Sequence, residues 1–96
     1  MIIERVEFEI KPGQMEAFLA HCRNSGHVFR ESQGCRSFSY GRGVENPDKA
    51  IFVLRWDSVA AHEAARGNFD AFREPMPGFV AGVTVEHFDM AEWAGE

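Results

Sequence analysis

Hydrophobic period changes along this chain in an order that few folds accommodate. Over residues 2–10 it is two: Val6, Phe8 and Ile10 fall on one face, and Arg5, Glu7 and Glu9 on the other. Such alternation marks a half-buried strand. Lys11-Pro12-Gly13 ends it, and proline suits the first turn of a helix, where its missing N–H would be unpaired anyway. The period then becomes 3.6. Met15, Phe18, Leu19 and Cys22 stand at i, i+3, i+4 and i+7, and Phe29 prolongs the stripe. Ser25-Gly26 is expected to loosen the middle of this helix, and Gly34 to end it.

Period two returns over 35–42 and 50–56. In the second run Phe52, Leu54 and Trp56 alternate with Ile51, Val53 and Arg55. The polar loop 43–49 between the runs is short enough to make them an antiparallel hairpin. Asp57 or Ser58 caps a second helix, whose Ala60, Ala61, Ala64 and Ala65 permit close packing. Gly67-Asn68 interrupts it, Phe69 and Phe72 reattach the chain to the core, and Pro75, Pro77 and Gly78 stop all helix. A last strand over 80–88 carries Val83, Val85 and His87 on one face.

The order β-α-β-β-α-β with right-handed crossovers predicts a ferredoxin-like α+β fold. Its four-stranded antiparallel sheet would carry both helices on one face. At 96 residues the chain is read as one domain, 1–96, with its core over about 2–89. The tail 90–96 has no period, and Trp93 in it is expected to dock on the domain. Ile3, Ile51 and Val53, mixed with Arg5, Glu7 and Arg55, are left on the uncovered sheet face. A half-apolar open face suits a homodimer formed through it.

The net charge of −5, with no Lys/Arg cluster, argues against nucleic acid as a partner. Cys22 and Cys35 lack metal or redox spacing and read as free thiols in a reducing compartment. No basic-then-apolar start marks a secretion signal, and no apolar run approaches the roughly 20 residues of a membrane helix. A cytoplasmic protein without a membrane partner is the expectation.

Lys11-Pro12-Gly13 opens the first helix with Phe18 inside it, and Glu31-Ser32-Gln33-Gly34-Cys35 leads into a strand with Phe38. Pro47, Phe52-Val53-Leu54-Arg55-Trp56, Ser58 and Ala61-His62 follow, then Phe69, Phe72 and Val85-Glu86-His87-Phe88. Taken in order, these residues resemble the antibiotic biosynthesis monooxygenases. The resemblance implies a dimeric α+β barrel that oxidises an aromatic phenol or quinol with O₂, using neither metal nor flavin. The protein's part would be to bind the ring, accept a proton and stabilise the anion. A haem-degrading branch of the same superfamily places a histidine late in the second helix, with a tryptophan and an asparagine nearby. Here Phe69-Asp70-Ala71-Phe72-Arg73 has no histidine after Phe72 and no tryptophan before it, so no haem is expected. No flavin or metal motif is present either, and the expected cofactor set is none.

His62 stands three residues after Val59, so a sheet-facing Val59 would turn His62 inward too. His87 shares its strand face with Val83 and Val85, the face expected under the helices. The two imidazoles would then line one cavity, and with an ordinary pKa near 6.5 either could accept a phenolic proton. The alternative is that each is a histidine satisfied by backbone. Tyr40 and Trp56 are candidates for the cavity wall, either orienting a substrate or packing in the core. Arg66 would stabilise an oxyanion or pair with Asp70. His21 and His27 are read as exposed. A non-catalytic dimeric domain that binds a small molecule, or serves as an accessory protein, is the rival reading. An enclosed apolar pocket with convergent polar groups favours the enzyme, and a filled core the rival.

Overall fold

The computed structural model describes residues 1–94. Four strands, β1 (Ile2–Ile10), β2 (Cys35–Arg42), β3 (Lys49–Trp56) and β4 (Val80–Asp89), form one antiparallel sheet in the order β2-β3-β1-β4. Helices α1 (Met15–Ser25), α2 (His27–Arg30), α3 (Val59–Ala65) and α4 (Asp70–Arg73) supply the crossovers. The domain is ferredoxin-like α+β.

Each helical layer is broken where the sequence places glycine. The first divides at Gly26, whose N–H donates to Cys22 O at 2.8 Å. A Cβ at Gly26 would lie 2.7 Å from Phe38 Cε2, so the break lets β2 come close to the helix. The second layer gives way at Arg66–Phe69 to one tighter 3₁₀ turn before α4. Ser58 is the cap of α3, its hydroxyl accepting from Ala61 N at 3.0 Å.

Phenylalanines fill the space between the layers. Phe18 is fully enclosed, and Phe8, Phe52 and Phe72 are nearly so. Phe8 meets Phe52 edge-on at 4.6 Å, and Phe29 lies 4.5 Å from Phe69, which ties α2 to the second layer. His21, read as exposed, is half-buried. Its Nε2 bonds Phe72 O at 2.8 Å and its ring lies 4.4 Å from that of Phe72, so it clamps α1 to α4. The pattern had placed it on the polar side of α1, but α4 packs against that flank.

The open face matches the expected residue set, with Ile51 and Val53 half-buried and Ile3 covered. Trp93 docks here, with the Arg55 guanidinium 4.6 Å from its ring centre.

Gly34 closes the turn before β2 at φ +86°, and a Cβ there would sit 2.7 Å from Ala61 Cβ. Gly13 has φ +79° but open space around it. Gly34→Ala is therefore expected to cost more than the roughly 1–3 kcal/mol of backbone strain that Gly13→Ala incurs. Thermal melts of both variants test this, at about 4–8 °C per kcal/mol. Equal losses would mean that α3 yields freely at Ala61.

Candidate active site

In β1 the alternation that buries Val6, Phe8 and Ile10 also carries Glu4 to the helix side, where it is 6% exposed. The register sets His87 of β4 beside it. Trp56 ends β3 on the same face, and its Nε1–H donates to Glu4 Oε1 at 2.9 Å. From above, α3 lowers His62 onto this group. His62 Nε2 lies 3.4 Å from Glu4 Oε2, and His62 Nδ1 lies 2.7 Å from His87 Nε2. The result is a continuous polar chain, Trp56–Glu4–His62–His87, set into an aromatic core. The Trp56 and His87 rings flank His62 at 5.1 and 4.9 Å.

Burial holds the His62 pKa below the ordinary 6.5. Glu4 and Glu63 oppose this, while His87 and Arg66 add to it. The unfolded chain thus binds a proton at His62 more readily than the folded one. Stability should fall as pH drops from about 6.5, because protonation favours the unfolded state. Melts between pH 7.5 and 5, before most carboxylates titrate, would show the slope, and His62→Gln should flatten it. An unchanged slope in the variant would assign the effect to another group.

Beside the chain a cavity of about 740 Å³ opens between the second helical layer and the β1–β4 half of the sheet. Its walls are apolar along Val6, Phe8, Phe69, Phe72, Val83 and Val85. Glu4, His62 and His87 form one polar end, and Arg66 and Arg73 stand on the helical side. The volume is that of a small-molecule site, which is commonly about 300–1,000 Å³.

His62 and His87 thus meet at one cavity, but not for the reasons the periodicity gave. Val59 is 39% exposed, and the inward face of this layer is His62, Ala65 and Phe69. His87 does lie on the helix-side face, where it meets His62, yet β4 is an edge strand only partly covered by the helices, and Val83 and Val85 are 57% and 50% exposed. Arg66 lines the cavity and pairs with Glu63 at 3.4 Å, while Asp70 pairs instead with Arg73. Both are i,i+3 contacts.

Trp56 is 1% exposed and stands behind the cavity, backing its lining residues Glu4 and His62. Tyr40 is not on the wall: it sits on the opposite edge strand, half in solvent, with its ring 5.7 Å from Phe38. Glu4 is the residue the pattern reading passed over, although its place in the Val6–Phe8–Ile10 row was visible. Arg73 was also passed over, and nothing in its spacing marks it.

Burial pushes the Cys22 thiol up to about 12 and raises that of Cys35, so neither is a nucleophile at neutral pH. Among the described residues no group of three or more His, Cys, Asp or Glu side chains is arranged to hold a metal. No described helix is long and apolar enough to cross a membrane.

A family profile described as antibiotic biosynthesis monooxygenase matches residues 1–77. No curated protein matches the chain. Among solved structures, a Bordetella bronchiseptica protein named as a candidate antibiotic biosynthesis monooxygenase superposes with a TM-score of 0.86. It is 23% identical, over 95% of this chain and 97% of its own. A Mycobacterium tuberculosis protein gives 0.83 at 18% identity, covering 98% of each chain. One from Nitrosomonas europaea gives 0.82 at 16% identity, over 96% of this chain and all of its own. At such identities the likeness establishes the fold.

Proposed function

The chain belongs to the antibiotic biosynthesis monooxygenase family, and from that premise we propose that it oxidises a small aromatic phenol or quinol with O₂, drawing on no bound cofactor. The observation that carries this reading is the cavity: an apolar aromatic trench with two contacting histidines at one end. A flat ring would lie against the phenylalanines and valines, with its hydroxyl toward the imidazoles. Removing the hydroxyl proton makes an electron-rich anion that can itself reduce O₂. For an anthrone-like substrate the balance closes without another reductant. The ring CH₂ loses both hydrogens and gains one oxygen atom as C=O, and the second oxygen atom leaves as water. Arg66 and Arg73 would face the developing negative charge. A cavity of this kind, rather than a filled core, favours catalysis over the accessory-domain reading.

Oxygen uptake by metal-stripped protein, measured with a panel of quinols and anthrone-like compounds, tests the proposal. One O₂ consumed per substrate is the expected result. Tight binding of the same compounds without uptake would support a non-catalytic binding domain instead.

We further propose that the protein is a homodimer joined through the open sheet face. The support is a run of exposed apolar side chains there, Phe88, Met90 and Trp93, beside half-buried Ile51 and Val53. Ion pairs between Arg5 and Glu7, Arg5 and Glu86, and Lys49 and Glu7 satisfy the charges among them. Sedimentation at micromolar concentration should show a dimer, and a stable monomer would defeat the idea.

A further inference from the structure

We infer that His87, through its Nδ1, is the proton acceptor of this cavity, and that Glu4 and His62 are positioning residues that fix which of its nitrogens carries the lone pair. The inference rests on the phenol-oxidising reading above, but its structural half stands on hydrogen counting alone.

The contact of 2.7 Å between His62 Nδ1 and His87 Nε2 holds a single hydrogen, so one ring donates and the other accepts. The far end of the chain decides which. Indole N–H can only donate, and Trp56 gives its hydrogen to Glu4 Oε1. Glu4 Oε2 then faces His62 Nε2 at 3.4 Å. This is long for a hydrogen bond but close enough for charge to select the tautomer. An N–H pointed at a carboxylate oxygen is attracted, and a nitrogen lone pair there is repelled. His62 therefore carries its hydrogen on Nε2, which makes Nδ1 the acceptor.

His87 must then donate from Nε2, and in the neutral ring the lone pair is left on Nδ1. That atom has no protein hydrogen bond among the described residues. Both nitrogens of His62 are committed, to Glu4 and to His87. Depression of the His62 pKa by burial also keeps this ring neutral and able to accept. When His87 takes a proton from substrate, the new imidazolium keeps its Nε2–H bond to His62, with the Glu4 carboxylate one ring further back. The other charged groups acting on His62 are Glu63 of α3 and Arg66, which opens the 3₁₀ turn after it.

The arrangement makes one sharp demand. Glu4→Gln keeps the size of the side chain and can still accept from Trp56, but it presents an NH₂ to His62. That donor would turn the chain around: His62 would carry its hydrogen on Nδ1, His87 Nε2 would accept, and His87 Nδ1 would hold a hydrogen. Ring ¹⁵N–¹H correlation spectra of the full-length protein at pH 7.5 report this directly. The wild type is expected to show both histidines as Nε2–H tautomers, and Glu4→Gln to show both as Nδ1–H. With a turned-over quinol, Glu4→Gln should lower kcat toward the level of His87→Ala with little change in KM.

A wild-type His87 in the Nδ1–H form overturns the assignment, and this measurement needs no variant to fold. It is equally overturned if His87→Ala turns over normally while His62→Ala does not. The predicted tautomers together with no turnover of any phenol or quinol would remove the acceptor role along with the proposed function, and leave only the polarity of the chain standing.

Discussion

His87→Ala is expected to lower turnover of a quinol or anthrone-like substrate by about 10²–10⁴-fold, the range for loss of a general base, while the fold persists. The second half of that expectation follows from where His87 sits. It is a half-buried residue of an edge strand, and its backbone pairing with Glu4 does not depend on the side chain. Removing the imidazole enlarges a cavity already open to water, so His62 Nδ1 can find a solvent partner. His62 is a poorer subject for the same test. It is buried between Trp56 and His87, and its loss would disturb packing as well as chemistry. Stopped-turnover assays on His87→Ala, with a melt to show retained stability, separate the two effects. A loss smaller than about fivefold would move the base elsewhere.

The strands and the aromatic core were legible because period and burial report the same thing in the middle of a sheet. Phe52, Leu54 and Trp56 alternate in sequence and are all nearly inaccessible. Period and burial part company where an element is only partly covered. Val83 and Val85 lie on the inward face but at an edge, so apolar character there describes a cavity wall rather than a packed core. Val59 misled for a related reason. As the first residue of α3 it precedes the turn that contacts the sheet, and the face is set by Ala65 and Phe69. The site was half legible. His62 and His87 do meet at one cavity as expected, although Val59 does not mark the buried face of α3 and the Val83–Val85 row is a cavity wall. Glu4 was hidden by its charge, since a carboxylate in an apolar row looks like an irregularity until its donor, Trp56, is seen across the strands. Tyr40 shows the limit of one-dimensional reading: it lies opposite Phe52 on the helix side of the sheet, but strand order places β2 at the edge away from the cavity.

Trp56→Ala is expected to be the most destabilising single change to the site, at about 3–5 kcal/mol from lost packing alone. A domain of this kind has only about 5–15 kcal/mol of stability in total, so the variant should melt tens of degrees lower or fail to fold near room temperature. Trp56 is 1% exposed, and its ring lies 5.1 Å from that of His62 and 6.5 Å from that of Phe69. Alanine there leaves a void that these neighbours, held by α3 and the 3₁₀ turn that follows it, cannot close. It also strips Glu4 Oε1 of its N–H donor inside an enclosed site, and an orphaned buried acceptor adds about 1–3 kcal/mol. Trp56→Phe isolates that second contribution, since phenylalanine keeps much of the volume and loses the N–H. Pairing it with Glu4→Met removes the acceptor as well. The double variant should then be more stable than the sum of the two single losses predicts, as expected when two groups satisfy each other. Chemical denaturation of the four variants supplies the comparison. If Trp56→Ala costs less than about 1 kcal/mol, or the double variant is strictly additive, Trp56 is not the anchor of Glu4 and the polar chain must be held from its histidine end.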